Sequence, residues 1–156
     1  MPHPERRSAP ALGGAVWRKM RSLDSLQWRY LLASILLLPI IDMSLRWSGH
    51  KRTHAMLDRW AKRSSADVAA WPDEAAAQSI ARIVSLAGRQ SPWPATCLRQ
   101  ALLLCFFLAR RGINAELRIG VESTDESGFA AHAWVEWHGR VLIGGEHAQE
   151  RYLVLV

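Results

Sequence analysis

The sequence predicts an α+β domain, with helices first and an antiparallel sheet after them. Three features carry that expectation. Helix-type apolar spacing with start and stop signals recurs up to Arg111. Strand-type runs rich in Val, Ile, Leu and Trp then follow from Ala115 onward. These runs succeed one another directly, which is the wiring of antiparallel strands and not of βαβ units. The chain has 156 residues, room for one domain of ordinary size. With 49% apolar and 22% charged residues it is neither a disordered tail nor a fibre.

Residues 1–15 are rich in Pro, Gly and Arg without periodicity and read as a disordered tail. Residues 16–90 read as a helical region, and residues 91–156 complete one compact domain with it. Ser25–Trp47 reads as one or two helices broken near Pro39, because proline removes an N–H and crowds the preceding turn. Thr53–Lys62 is a short amphipathic segment ended by Ser64 and Ser65. In Pro72–Leu86, proline stands at a first turn and Asp73 and Glu74 meet the positive end of the dipole. Its apolar positions are Ile80, Ile83 and Val84, and Gly88 is its stop. After a two-proline loop comes the strongly apolar helix Cys97–Arg111, with Thr96 where an N-cap belongs, Arg110 and Arg111 in the last turn, and Gly112 ending it. The strands are Ala115–Val121, Ala130–Trp137, Arg140–Ile143 and Tyr152–Val156.

The net charge of +6 is uneven: residues 1–75 hold 12 Lys/Arg against 7 Asp/Glu, and residues 76–156 hold 8 against 7. A basic front half suits nucleic acid, an anionic membrane or an acidic peptide. Its bases are scattered singly, without a helix-turn-helix, zinc-finger or RNA-binding signature, so no nucleic-acid partner is expected. The apolar run Tyr30–Ile41 falls short of the ~20 residues a spanning helix needs, and no signal-peptide cleavage site follows it. It reads as a buried helix, with peripheral membrane contact as the alternative. Cys97 and Cys105 cannot build a disulfide scaffold and read as reduced thiols of a cytoplasmic protein. No four Cys/His residues have zinc spacing and there is no P-loop, so neither metal nor cofactor is expected.

Cys97 is the candidate nucleophile. At a helix start, unpaired N–H groups and the dipole favour a thiolate and can hold an oxyanion as it forms. Cys105, mid-helix among Leu and Phe, reads as core. A thiolate needs an imidazole to take and return its proton. Of six histidines, His132 alone lies inside a strand, in AHAWVEW, beside small residues that leave room for an approaching group. Trp93, Trp134 and Trp137 offer the walls of a peptide groove and Arg99 a partner for an acidic peptide; core packing and a solvated surface are the plainer readings of each.

The order Cys97 then His132, with the wording CLRQALLLCFFLARRGINAELRIGV (residues 97–121) and FAAHAWVEWHGRVLIG (residues 129–144), resembles the transglutaminase-like cysteine peptidases of lasso peptide biosynthesis. These are similar to the C-terminal domain of the microcin-processing protein, and the likeness covers residues 93–152. It implies a transglutaminase-like, papain-like core in residues 91–156, its Cys-bearing helix packed on the antiparallel sheet. It further implies removal of a leader peptide from a ribosomal precursor by a Cys-His-acid triad, with Cys97 as nucleophile and His132 as general base. The partners implied are the lasso precursor peptide, a separate leader-recognition protein and an asparagine-synthetase-like lasso cyclase.

The chain departs from the family at the acid. The family's Asp falls on Gly144, and Glu146 is the nearest carboxylate. A three-residue loop at Trp137-His138-Gly139 sets Gly144 opposite His132 and Glu146 one diagonal step away, ~7–8 Å between Cβ atoms. A two-residue loop turns Glu146 to the other face. A dyad steadied by a backbone carbonyl or water is the rival arrangement. An acyltransferase with the same Cys-His pair and a non-catalytic precursor-binding module are the rival functions.

Overall fold

A computed structural model describes residues 23–63, 73–91, 96–124, 128–145 and 148–155. Helix α1 (Ser25–Arg63) is followed by α2 (Asp73–Gln90) and α3 (Cys97–Arg110). Strands β1 (Glu116–Thr124), β2 (Gly128–Trp137) and β3 (Arg140–Ile143), the one-turn α4 (Ala148–Arg151) and β4 (Leu153–Val154) complete the order. The sheet runs β3-β2-β1-β4, antiparallel throughout. This is the α+β architecture that the sequence predicts. The tail 1–15, Trp93 and Glu146 lie outside the described residues.

The first helix departs from expectation at its break. Helical geometry continues through Pro39 and fails at Gly49, whose φ of 71° and ψ of 170° are non-helical. Glycine takes a positive φ without a Cβ clash. Pro39 is tolerated because the turns around it are anchored by the buried Leu38 and Ile41. The kink folds the helix back on itself. Ser44 and Thr53 meet through their hydroxyls at 3.0 Å, and Thr53 Oγ1 donates to the Gly49 carbonyl at 2.9 Å. Tyr30 on one arm and Trp60 on the other pack against the adjacent rings of Phe107 and Phe106. In a straight helix residues 30 apart lie ~45 Å from each other. The segment expected as separate, Thr53–Lys62, is therefore the returning arm.

Gly88 does not stop α2, which runs to Gln90. A Cβ at Gly88 would lie 2.7 Å from Gln100 Cδ, so the glycine makes room for the Gln100 side chain of α3. Gly112 does end α3. With φ 75° it donates to Ala109 O, while Ile113 N–H reaches back to Leu108 O at 2.9 Å. That is a Schellman pair sealed by the buried Ile113. Residues Ala101–Leu108 of α3 are all buried, and the helix packs on α1, α2 and β2. Arg99 is not a free surface cation: it pairs with Asp42 of α1, both side chains being less than one-fifth exposed.

Three strand details differ from the sequence reading. The β2–β3 turn has two residues, His138 and Gly139, at φ 49° and 73°, with Trp137 paired to Arg140. Both positive φ values mark a turn whose twist matches that of the strands. A bulge between Val135 and Glu136 then shifts the ladder so that Val135 pairs with Ile143. The last strand is only Leu153–Val154, because α4 occupies the approach to it, its turn closed by Tyr152 N–H donating to Ala148 O at 3.1 Å.

Candidate active site

Cys97 is the first residue of α3, half-buried, with Thr96 as N-cap at φ −63° and ψ 160°. The Thr96 side chain makes no cap hydrogen bond. The Thr96 hydroxyl is thus not the acceptor of a first-turn N–H group. Cys105 stands in contrast. It is buried, and desolvation, with a smaller contribution from the charge of Asp58, pushes its thiol up to about 12. A thiol held neutral in this way is inert.

His132 sits mid-strand in β2 opposite Gly120 of β1. A Cβ at Gly120 would come within 2.9 Å of Tyr152 Cβ, Leu153 O and the Trp134 ring. The glycine thus admits Tyr152, which stacks on the imidazole at 5.0 Å between centroids. Trp134 flanks both rings and is fully buried, donating from Nε1 to Glu136 at 2.6 Å. Trp134 is therefore a wall inside the fold, and Trp137 packs against the core.

The acid position of the family is occupied in an unexpected way. His132 Nε2 lies 2.5 Å from the Gly144 carbonyl. A carbonyl only accepts, so Nε2 is the donor in this contact, which leaves Nδ1 out of it. Gly144 has φ 110°, Gly145 has φ 100°, and both lie beyond the end of β3. The chain has left the ladder there, and the hairpin register ends at Ile143. Gly144 lies against Trp134, and a Cβ on it would overlap Trp134 Cβ. No side chain fits at 144; the backbone oxygen supplies the acceptor instead.

Alternation along β2 sends Ala133 and Val135 into the core with the helices, and His132, Trp134 and Glu136 to the other face. Among the described residues, no hydrogen bond joins the Cys97 thiol to the His132 ring, and no three His, Cys, Asp or Glu converge as a metal site. Sequence reasoning missed Gly120 and Tyr152, and offered a backbone carbonyl as the rival to the acid without assigning it to Gly144. A glycine inside a strand signals a close approach, but what approaches is Tyr152, set in place by α4, and the sequence reading contained no such helix.

The structure thus places a cysteine at a helix start and a histidine inside a strand, with no hydrogen bond between them. The sequence profile of the transglutaminase-like superfamily matches residues 41–156, which include Cys97, His132 and the whole sheet. The chain belongs to that superfamily, whose members are in general cysteine-dependent enzymes, peptidases and acyltransferases among them. Neither the curated proteins nor the solved structures yield a match.

Proposed function

We propose that this protein is a cytoplasmic cysteine peptidase that removes the leader from a ribosomally made lasso precursor peptide. The observation that carries the reading is the contact of His132 Nε2 with the Gly144 carbonyl at 2.5 Å: in the neutral ring Nε2–H is spent there, and Nδ1 serves as the base. Cys97 Sγ–H gives its proton to Nδ1, and the thiolate attacks the scissile carbonyl carbon. The first-turn N–H groups of α3 receive the oxyanion. The C–N bond breaks as Nδ1–H protonates the leaving amine, and water, deprotonated by Nδ1, hydrolyses the thioester. The reading requires a rearrangement: Cys97 packs against the core on the helix side of the sheet and His132 faces away from it, so Sγ and Nδ1 must be brought together when substrate binds. Gly144 supplies orientation without charge, and Glu146 remains a candidate acid that a variant decides. A separate leader-recognition protein presents the substrate and raises its local concentration at the site. The lasso cyclase then takes the released amine.

The test is cleavage of a lasso precursor by the full chain with its leader-binding partner, read by product mass. Wild type is expected to release a leader with a free C-terminal acid. Cys97→Ala and His132→Ala are expected to be inactive. Cleavage by Cys97→Ala at the wild-type rate would overturn the reading, and a leader joined to an added amine would make the protein an acyltransferase. Alkylation of Cys97 by iodoacetamide against pH tests the pairing itself, because His132→Ala moves that profile only if the ring and the thiol interact.

A further inference from the structure

One face of α1 is apolar and unpartnered. Leu32, Ile35, Leu36, Ile40, Met43 and Trp47 are 40–82% exposed, with Trp47 the most open. At 100° per residue they share one stripe, while Leu31, Ser34, Leu38 and Ile41, all buried, share the opposite face. From residue 32 to 47 the stripe runs ~22 Å at 1.5 Å per residue. The segment is long and apolar enough by composition to cross a membrane. Spanning is nevertheless incompatible with this fold. The back of the helix is covered by α2 and α3, and it turns back at Gly49. What the geometry offers is a helix lying flat with one side open.

Charge selects the occupant. Helix α1 carries seven Lys/Arg against two Asp. The exposed Arg29 stands at one end of the stripe, and the exposed His50, Lys51 and Arg52 follow Trp47 at the hairpin tip. The row from Leu32 to Met43 is apolar and makes no directional demand, and Arg46, exposed and paired with Asp42, joins it only at the Trp47 end. That suits fluid acyl chains, and the bases around them suit anionic headgroups. A tryptophan at the polar end sits where indoles favour the membrane interface. We propose that this face docks the protein onto an anionic lipid surface, with Leu32–Trp47 inserted and the hairpin tip on the headgroups. The inference does not depend on the Cys-His chemistry.

The experiment is flotation of the full 156-residue chain with vesicles of phosphatidylcholine alone or mixed with phosphatidylglycerol, at low and high salt. The chain is expected to float with anionic vesicles, to bind neutral ones weakly, and to lose affinity as salt rises. The double variant Leu36→Glu, Trp47→Ser is expected to lose affinity by about tenfold or more, since it places a charge and removes an anchor in the apolar layer. Both sites are exposed, so its thermal unfolding should match wild type. No flotation of wild type overturns the proposal. Equal flotation of the double variant also overturns it, since the bases alone would then suffice. So does a wild-type dimer that the double variant dissolves, because a second copy would then cover the stripe.

Discussion

Gly144→Ala is the substitution whose cost the structure specifies most closely. Two separate penalties fall on the new Cβ. At φ 110° an L-residue adopts a backbone conformation costing about 1–2 kcal/mol. The Cβ also overlaps Trp134 Cβ and lies 2.9 Å from Trp134 Cα and 3.1 Å from Ala133 O. None of these is the far end of a flexible chain, so the backbone must move, and such overpacking costs about 1–3 kcal/mol more. The expected loss is about 2–5 kcal/mol, a large share of the roughly 5–15 kcal/mol that holds a domain together. Gly139→Ala is the control: its φ is 73° but nothing lies within 4 Å of its Cβ, so only the backbone penalty of about 1–2 kcal/mol applies. Urea unfolding of the two variants and wild type gives the difference directly. The same movement carries the Gly144 carbonyl away from His132 Nε2, so precursor cleavage by Gly144→Ala should fall even where the protein is fully folded. Gly144→Asp, which restores the family's acid in sequence, is expected to be no more stable than Gly144→Ala and to rescue nothing. If Gly144→Ala is as stable as Gly139→Ala, the packing of this loop on Trp134 is wrong, and the carbonyl's role falls with it.

Cys97 should react with a thiol reagent in the native protein, whereas Cys105 should react only on unfolding. Because burial raises the Cys105 pKa from the ordinary 9.0 to about 12, the native state holds a proton that the unfolded state loses. Stability is expected to be fully present below pH 9 and to decline between about pH 9 and 12, and Cys105→Ala should remove that part of the alkaline slope in a melt series. Arg99→Met should cost about 1–3 kcal/mol by leaving the part-buried Asp42 with Arg46 alone, measured by the same urea series. Glu146→Gln separates the two arrangements at His132. With the Gly144 carbonyl as the orienter, single-turnover cleavage should change by less than about tenfold, whereas a loss of ~10² or more would make Glu146 the acid.

The sequence by itself determined what repeats locally. Helical spacing, a terminal glycine at 112 and the succession of strands fixed the α+β class, and the position of Cys97 at a helix start followed from the loop and N-cap before it. These are settled by neighbours a few residues apart. Tertiary structure decided everything that depends on approach. Pro39 looked like the break and Gly49 was the break, because burial of Leu38 and Ile41 holds one turn while only a positive φ lets α1 return onto Phe106 and Phe107. Gly88 looked like a stop and proved to be a contact with Gln100. The hairpin at His138-Gly139 closed in two residues, and a bulge no periodicity reveals then moved its register. At His132 the sequence offered a search for a missing carboxylate. The fold placed a backbone oxygen there, and a carbonyl belongs to every residue alike, so no residue type announces it. Only the path of the chain over Trp134 aims it at the ring.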